Sequence, residues 1–457
     1  MTALRALRFL LGLLFLCWSL CSCLEWPEVG GEGQPCVANG TCVSGLACVD
    51  GQCVSLDASD GDEDANGKTD GDADGDADGD TDNNTDSDTG GVHLWSRRFG
   101  STGWDTGYSV AVDSGGNVLV TGSFLGTVNF GGDDLTSNGD DDIFLAKYDT
   151  YGNHIWSKHF GAADGDGGTS VSIDGSGNVL MTGSFRGTVN FGGNDLTSAG
   201  WNNIFLAKFD GDGHHIWSKH FGANHIGETG NSVSVDGDRN VLVTGKFLGT
   251  VNFGGDDLTS EGDEDIFLAK YDSDGNHLWS KRFGADGYDN GQSVSVDGNG
   301  NVLVTGYFNG RVSFGGPYFT SFGNHSDIFL AKFDDGGNHI WSKQFGSGSY
   351  DEGYSVSVDQ DGNVFATGIF QQIVSFGGED LISEGDLDIF LAKFSSNGSH
   401  IWSKRFGSYD EDIGTSVSVD RSGDILVTGQ FHDTVNFGGD DLTSADNYDI
   451  FMMKCGR

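Results

Sequence analysis

The chain has 457 residues, 76 glycines against three prolines, and a formal charge of −44. Such acidity argues against nucleic acid or an anionic membrane surface as partner, because phosphate recognition rests on Lys and Arg. Abundant glycine with almost no proline argues against a disordered low-complexity chain and for many tight turns between strands.

Residues 1–22 carry Arg5 and Arg8 ahead of an apolar run that ends in small residues. This is the layout of a secretory signal, too short and wrongly flanked to span a bilayer as a helix. The tetrad Leu20-Cys21-Ser22-Cys23 resembles a bacterial lipobox, which implies cleavage before Cys23 and lipid on its sulfur. Leu24, rather than Asp, after the modified cysteine is similar to outer-membrane sorting in a Gram-negative cell. The resemblance therefore implies a bacterial lipoprotein held by its lipid anchor at the outer membrane or cell surface; a plain secretory signal is the alternative.

Residues 23–56 hold Cys36, Cys42, Cys48 and Cys53 within 18 residues. Four close cysteines in an exported chain point to two disulfide bonds, since the paired CxxC spacing and histidines of zinc sites are absent. The pairing is open. So small a piece has almost no core, and the bridges would supply its stability.

Residues 57–91 contain fourteen acids against one lysine. With almost no apolar residue this linker cannot bury enough surface to offset chain entropy, so it reads as a solvated, disordered spacer. A sharper reading is calcium: Asp62, Asp64, Asn66 and Asp70 stand at the first, third, fifth and ninth places of an EF-hand-like loop, with Gly67 at the bend. The twelfth place is Ala73, so the bidentate carboxylate is missing. The Asp-Xaa-Asp-Gly run that follows, with Asp72, Asp74, Asp76, Asp78, Asp80 and Asp82, resembles the aspartate-rich calcium repeats of thrombospondin type. That resemblance implies weak or partial ordering by calcium, the one cofactor expected here.

Residues 92–457 are a repeat array. Trp95, Trp156, Trp217, Trp279, Trp341 and Trp402 recur at steps of 61 or 62 residues, giving six copies. One unit, 107–161, holds four strand-length segments, SVAVD, NVLVTGSF, DIFLAKYD and HIWSKHF, rich in Val, Ile, Phe and Trp and bounded by turn residues. Asp113, Asp174, Asp236, Asp297, Asp359 and Asp420 open equivalent turns, where an aspartate bonds its own turn backbone and no ligand is needed. TVNFGGDDLTS, between the second and third segments, is expected to be a small hairpin or loop projecting from one rim. In DIFLAKYD both alternation sets are apolar, so this strand is covered on both faces, as in blades stacked around an axis.

The two ends of the array are complementary. It opens with a fourth-type strand, HLWSRRFG, and finishes on a third-type strand, IFMMKCGR. These deficits predict that residues 93–100 pair with 450–454 and close an all-β, six-bladed propeller, monomeric and with no bare end. The runs GNVLVTGSF, DIFLAKYD and GNHLWSKRFG resemble the bacterial seven-bladed β-propeller repeat family, with six copies here. The resemblance implies fold and a cell-surface location, and carries no catalytic motif.

Six lysines, Lys147, Lys208, Lys270, Lys332, Lys393 and Lys454, recur inside the buried third strand. They either ring the axis and hold an anion, or pair with a nearby carboxylate such as Asp142, Asp265, Asp327, Asp388 or Asp449, because unpaired buried charge is costly. The tryptophans, and the histidines two residues before them, are expected to pack between blades. The irregular fourth-copy loop with Pro317, Tyr318, Phe319 and His325 is the candidate for an asymmetric ligand site. HExxH, GxSxG and Walker loops are absent. The function expected is non-enzymatic: a binding or scaffold module for a surface protein or other extracellular ligand, or else a glycan-binding lectin using rim loops such as GGDDLTS. A hydrolase with an asymmetric site is a third reading.

Overall fold

The structure, a computed structural model, describes residues 46–49, 52–55 and 95–456, apart from 226, 285 and 445–447. It falls into two units, Met1–Asp88 and Thr89–Arg457. In the first, the described part is an antiparallel hairpin of Leu46–Val49 and Gln52–Ser55, whose register sets Cys48 opposite Cys53. The expectations for Cys23, Cys36 and Cys42, and for the acidic run Asp62 to Asp82, lie outside the described residues.

The second unit is a six-bladed β-propeller, all-β among the described residues. In the first blade the inner strand is Asp105–Val112, the second Val118–Phe124, the third Asp142–Tyr148 and the outer His154–Phe160. Each pairs antiparallel with the next. Blades two to five repeat this order over 167–221, 229–283, 290–345 and 351–406. The third strand is buried along its whole length in the first four blades, and over residues 388–394 of the longer Leu381–Phe394 in the fifth, as its two-sided apolar pattern requires.

Successive blades share one core per junction. At the first, Leu119, Ile143, Leu145 and Phe160 meet Val171, Met181, Phe205 and Phe209 of the second blade. Four further junctions repeat the same positions. The small hairpin Thr127–Asn129 with Asp134–Thr136 is present, but it does not project from a rim. Its Val128 and Phe130 are buried, Phe130 stacks on Phe144 at 4.6 Å, and the Tyr148 hydroxyl donates to the Phe130 carbonyl at 2.9 Å. Three apolar side chains, Val128, Phe130 and partly buried Leu135, hold this turn-rich sequence against the blade.

The sixth sheet has three strands among the described residues, Ile413–Val419, Ile425–Phe431 and Asp449–Cys455. Here the closing strand differs from expectation. Residues 95–100 form no ladder with 450–454 and lie against the first blade instead. Trp95 Nε1 donates to the Thr150 carbonyl at 3.0 Å, and Phe99 stacks on Tyr148 at 5.2 Å. Side-chain seating on the first blade thus decides where the segment rests. Ile450 and Met452 of the last strand are 84% and 77% exposed.

Candidate binding face

Antiparallel order sends the loops of every blade to two rims. The turns from inner to second strand and from third to outer strand share one rim; the longer loops before the third and before the inner strand share the other.

On the turn rim, Asp113 Oδ1 accepts from the Gly115 and Asn117 amides at 2.9 Å, and its Oδ2 accepts from Asn117 Nδ2. This is the self-bonded turn read from the sequence. The same Asp also receives the buried lysine: Lys147 Nζ lies 3.2 Å from Asp113 Oδ2 and donates to the Gly211 carbonyl of the second blade at 3.0 Å. Lys208–Asp174, Lys270–Asp236 and Lys332–Asp297 repeat the pair at 3.0, 2.8 and 2.8 Å. Burial works against these carboxylates, but the Asn178 amide and the Lys208 ammonium hold Asp174 below its usual range. The lysines therefore sit on third strands, clamping blade to blade, and do not ring the axis. Their partner is the turn aspartate, not the pre-strand carboxylate of the sequence reading. Lys393 instead sits over the Phe365 ring, 4.8 Å from its centre, and Lys454 is half exposed beside Asp420 and Asp424. The tryptophans complete the clamp: Trp156 Nε1 donates to the same Gly211 carbonyl at 3.2 Å, and Trp217, Trp279 and Trp341 repeat the bond. His154 packs on Gly131 and Gly132 of its own blade's hairpin and bonds Ser157 at 3.1 Å, a structural role, but within the blade and not between blades as expected.

The loop rim is different in kind. Beneath it lies a row of buried acids at the blade junctions. Asp142, Asp265, Asp327 and Asp388 head the third strands, and Asp166, Glu228, Asp351 and Asp412 head the inner strands; all are at most 4% exposed. Burial raises Asp265, Asp327 and Asp388 to about 6. It takes Asp166 and Asp351 to about 7 and Glu228 to about 8, even though backbone amides donate to each. Arg282 and Arg405 reach Asp265 and Asp388 at 2.5 and 2.6 Å, and Gln344 donates to Asp327 at 2.6 Å. The inner-strand acids escaped the sequence reading, although an acid two residues before a glycine recurs in all six copies, from Asp105-Thr106-Gly107 to Asp412-Ile413-Gly414.

Above the acids the rim exposes large aromatics. Trp104 is 83% exposed, Tyr409 78%, Tyr288 59% and Tyr350 51%. Around them stand exposed Asp140, Glu261, Asp263, Asp286, Glu384 and Asp386. The irregular fourth-blade loop divides between two places. His325 meets Tyr350 of the next blade edge-on at 4.5 Å on this rim, beside exposed Phe322. Tyr318 lies in the small hairpin under the Arg311 guanidinium at 3.8 Å, next to exposed Pro317, while Phe319 is half-buried against the junction core. Pro317, Tyr318 and Phe319 thus do not join His325 in one site. Cys455 is half-buried against the last core cluster, in the manner of a small hydrophobe.

A family model described as a beta-propeller repeat matches residues 94–123, 278–310 and 340–368. Among curated proteins the chain is similar to the uncharacterized WD repeat-containing protein L264 of Acanthamoeba polyphaga mimivirus. They are 24% identical over 434 residues, covering 74% of this chain and 31% of that protein. It is also similar to regulatory protein FlaEY of Caulobacter vibrioides, 25% identical over 169 residues, covering 35% of this chain and 18% of that protein. The chain spans less than a third of the length of either relative. Among solved structures it is similar to the Neurospora crassa Pan2 WD40 domain, at 11% identity, TM-score 0.37, and 70% and 74% coverage of the two chains. A glucose dehydrogenase gives 10% identity, TM-score 0.40, and 79% and 98% coverage. With five four-stranded sheets of one strand order, a three-stranded sixth, and matches to the repeat model in three separate stretches, the chain is a six-bladed β-propeller built of repeats similar to that family.

Proposed function

We propose that this propeller is a non-catalytic binding or scaffold module, held at the cell surface by lipid on Cys23, and that its loop rim receives a protein with a basic surface. The observation that carries the reading is the rim itself: Trp104, Tyr288, Tyr350 and Tyr409 stand exposed in a field of carboxylates. Exposed Trp and Tyr are the side chains that dominate binding energy when a partner covers them, and an acidic field steers a cationic partner toward them. Lys147, Lys208, Lys270 and Lys332 support the same reading, since each is satisfied by a turn aspartate as a structural clamp. A WD repeat-containing relative adds support for a binding role. The test is a panel of Lys/Arg-rich peptides and a glycan array, probed with wild type and with Tyr288→Ala/Tyr350→Ala. Salt-sensitive peptide binding that weakens about tenfold in the variant is expected, as for loss of one or two aromatic anchors. Salt-insensitive glycan binding would favour the lectin reading, to which the same exposed rings lend themselves by stacking on sugar. Turnover on a glycoside or phosphoester panel, abolished by one substitution, would overturn the non-catalytic reading.

A further inference from the structure

The five blade junctions repeat one core, and the structure carries both halves of a sixth with nothing between them among the described residues. On the last blade, Ile450 and Met452 are 84% and 77% exposed, whereas their equivalents Ile204 and Leu206 are fully buried in the second junction. On the first blade, Val110 is 63% exposed, whereas its equivalents Val171, Val233, Val294, Val356 and Val417 are each 5% exposed. One surface is the donating face of every junction, the other the receiving face.

The polar parts of the joint are duplicated too. At each interior junction an inner-strand serine accepts the backbone amide of the next blade: Ser109 from Val171, Ser170 from Val233, Ser232 from Val294, Ser293 from Val356 and Ser355 from Val417, all at 3.1 to 3.2 Å. By the same register Ser416, which is exposed, would accept from Val110. Residues 95–99 already occupy the place of a preceding blade's outer strand. Trp95 bonds Thr150 as Trp156 bonds Gly211, and Phe99 stacks on Tyr148 at 5.2 Å and 22° as Phe160 stacks on Phe209 at 5.4 Å and 26°. Among the described residues that segment has no third strand to pair with, and the third strand Asp449–Cys455 has no outer one. Half-exposed Lys454 is equivalent to Lys147, and would reach the Thr150 carbonyl as Lys147 reaches Gly211.

We propose that the occupant of each face is a second copy of this chain, joined head to tail, with the last blade of one copy seated on the first blade of the next. The third strand of one copy then takes residues 95–99 of its neighbour as its outer strand. The two surfaces are different, so the contact is heterologous: it propagates into a ring or filament of copies instead of stopping at a symmetric pair. Five working junctions within the chain show that the two surfaces fit, and a second copy supplies both.

The test is sedimentation velocity on the full-length chain in detergent over a range of concentrations, with folding checked by circular dichroism. Wild type is expected to grow beyond the monomer as concentration rises. Met452→Asp spoils only the donating face and Val110→Asp only the receiving face; both positions are exposed, and Ile450→Asp serves as a second donating-face variant. With either face spoilt in every copy, each variant alone is expected to stay monomeric, while an equimolar mixture of the two forms a one-to-one pair that grows no further. Wild type that stays monomeric throughout would overturn the proposal in favour of closure within one chain. Association that survives both substitutions would overturn it in favour of another surface.

Discussion

Glu228 shows what a junction does to a carboxylate at the head of an inner strand. It is fully buried, receives one amide from Ala223 at 2.8 Å, and has an Oε2 with no hydrogen-bond partner, so burial pushes it up to about 8. An acid raised above its unfolded value favours the protonated fold: its contribution to stability is full below about 4.5 and is lost as pH rises through about 8. Glu228→Gln removes that ionisation. Thermal melts are expected to show the variant level with wild type near pH 5 and a few °C more stable near pH 8, the size of shift that roughly 1–2 kcal/mol produces. Equal differences at both pH values would show that Glu228 ionises freely. Asp174 is the opposite case. It lies 3.0 Å from Lys208 and takes three further hydrogen bonds, so its depressed value adds stability above the unfolded carboxylate range that is lost in acid. Both aspartates and lysines were visible in the sequence as a period, but which acid faces which lysine was not. Lys208 and Asp174 are brought together by strand register, and sequence distance favoured Asn203 or its equivalents.

At the scale of the element, the second strand carries the sharpest constraint. Its Thr-Gly pair falls where the ladder to the inner strand shifts register, between Gly230 and Ser232 opposite Gly245 and Thr244. A Cβ on Gly245 would strike the Thr229 carbonyl and the Phe267 ring. Gly245→Ala therefore has to move backbone, and a loss of about 1–3 kcal/mol is expected in urea unfolding, as for overpacking of a close-packed interior. An unchanged midpoint would mean that the strand can shift freely. The four strands of each blade and the double burial of the third were legible because period-two apolar patterns report burial directly. The small hairpin is the element that the sequence misplaces: TVNFGGDDLTS looks polar and turn-rich, yet Val128, Phe130 and Leu135 pack it against the blade. The rim aromatics escaped notice because Trp104, Tyr288 and Tyr350 occupy one position in only three copies, and no period marks them.

For the whole molecule, stability resides in junctions. Among the described residues each interior blade is covered by two neighbours, whereas the first and last have one each, a nearest-neighbour arrangement of the kind seen in repeat arrays. The third strand of the third blade, Asp265–Tyr271, is laddered on both edges, while Asp449–Cys455 is laddered on one. Hydrogen exchange on dilute, monomeric protein is expected to be at least about 100-fold faster for amides of 449–455 than of 265–271, since local opening costs least where contacts are fewest. Equal protection would show that the last strand is paired in the monomer. The number of blades and their strand order could be counted from tryptophans and motif copies. Where the leading segment rests could not, because HLWSRRFG suits either edge, and the choice depends on the Thr150 carbonyl and the Tyr148 ring.

The clamp of Trp, Lys and turn carbonyl has a further consequence for descent. Since the same atoms join each of the first four wedges to the one after it, unequal crossing-over among those copies can insert or delete a whole wedge without leaving a mismatched seam. Copy number is then free to drift in a lineage while each such seam stays intact.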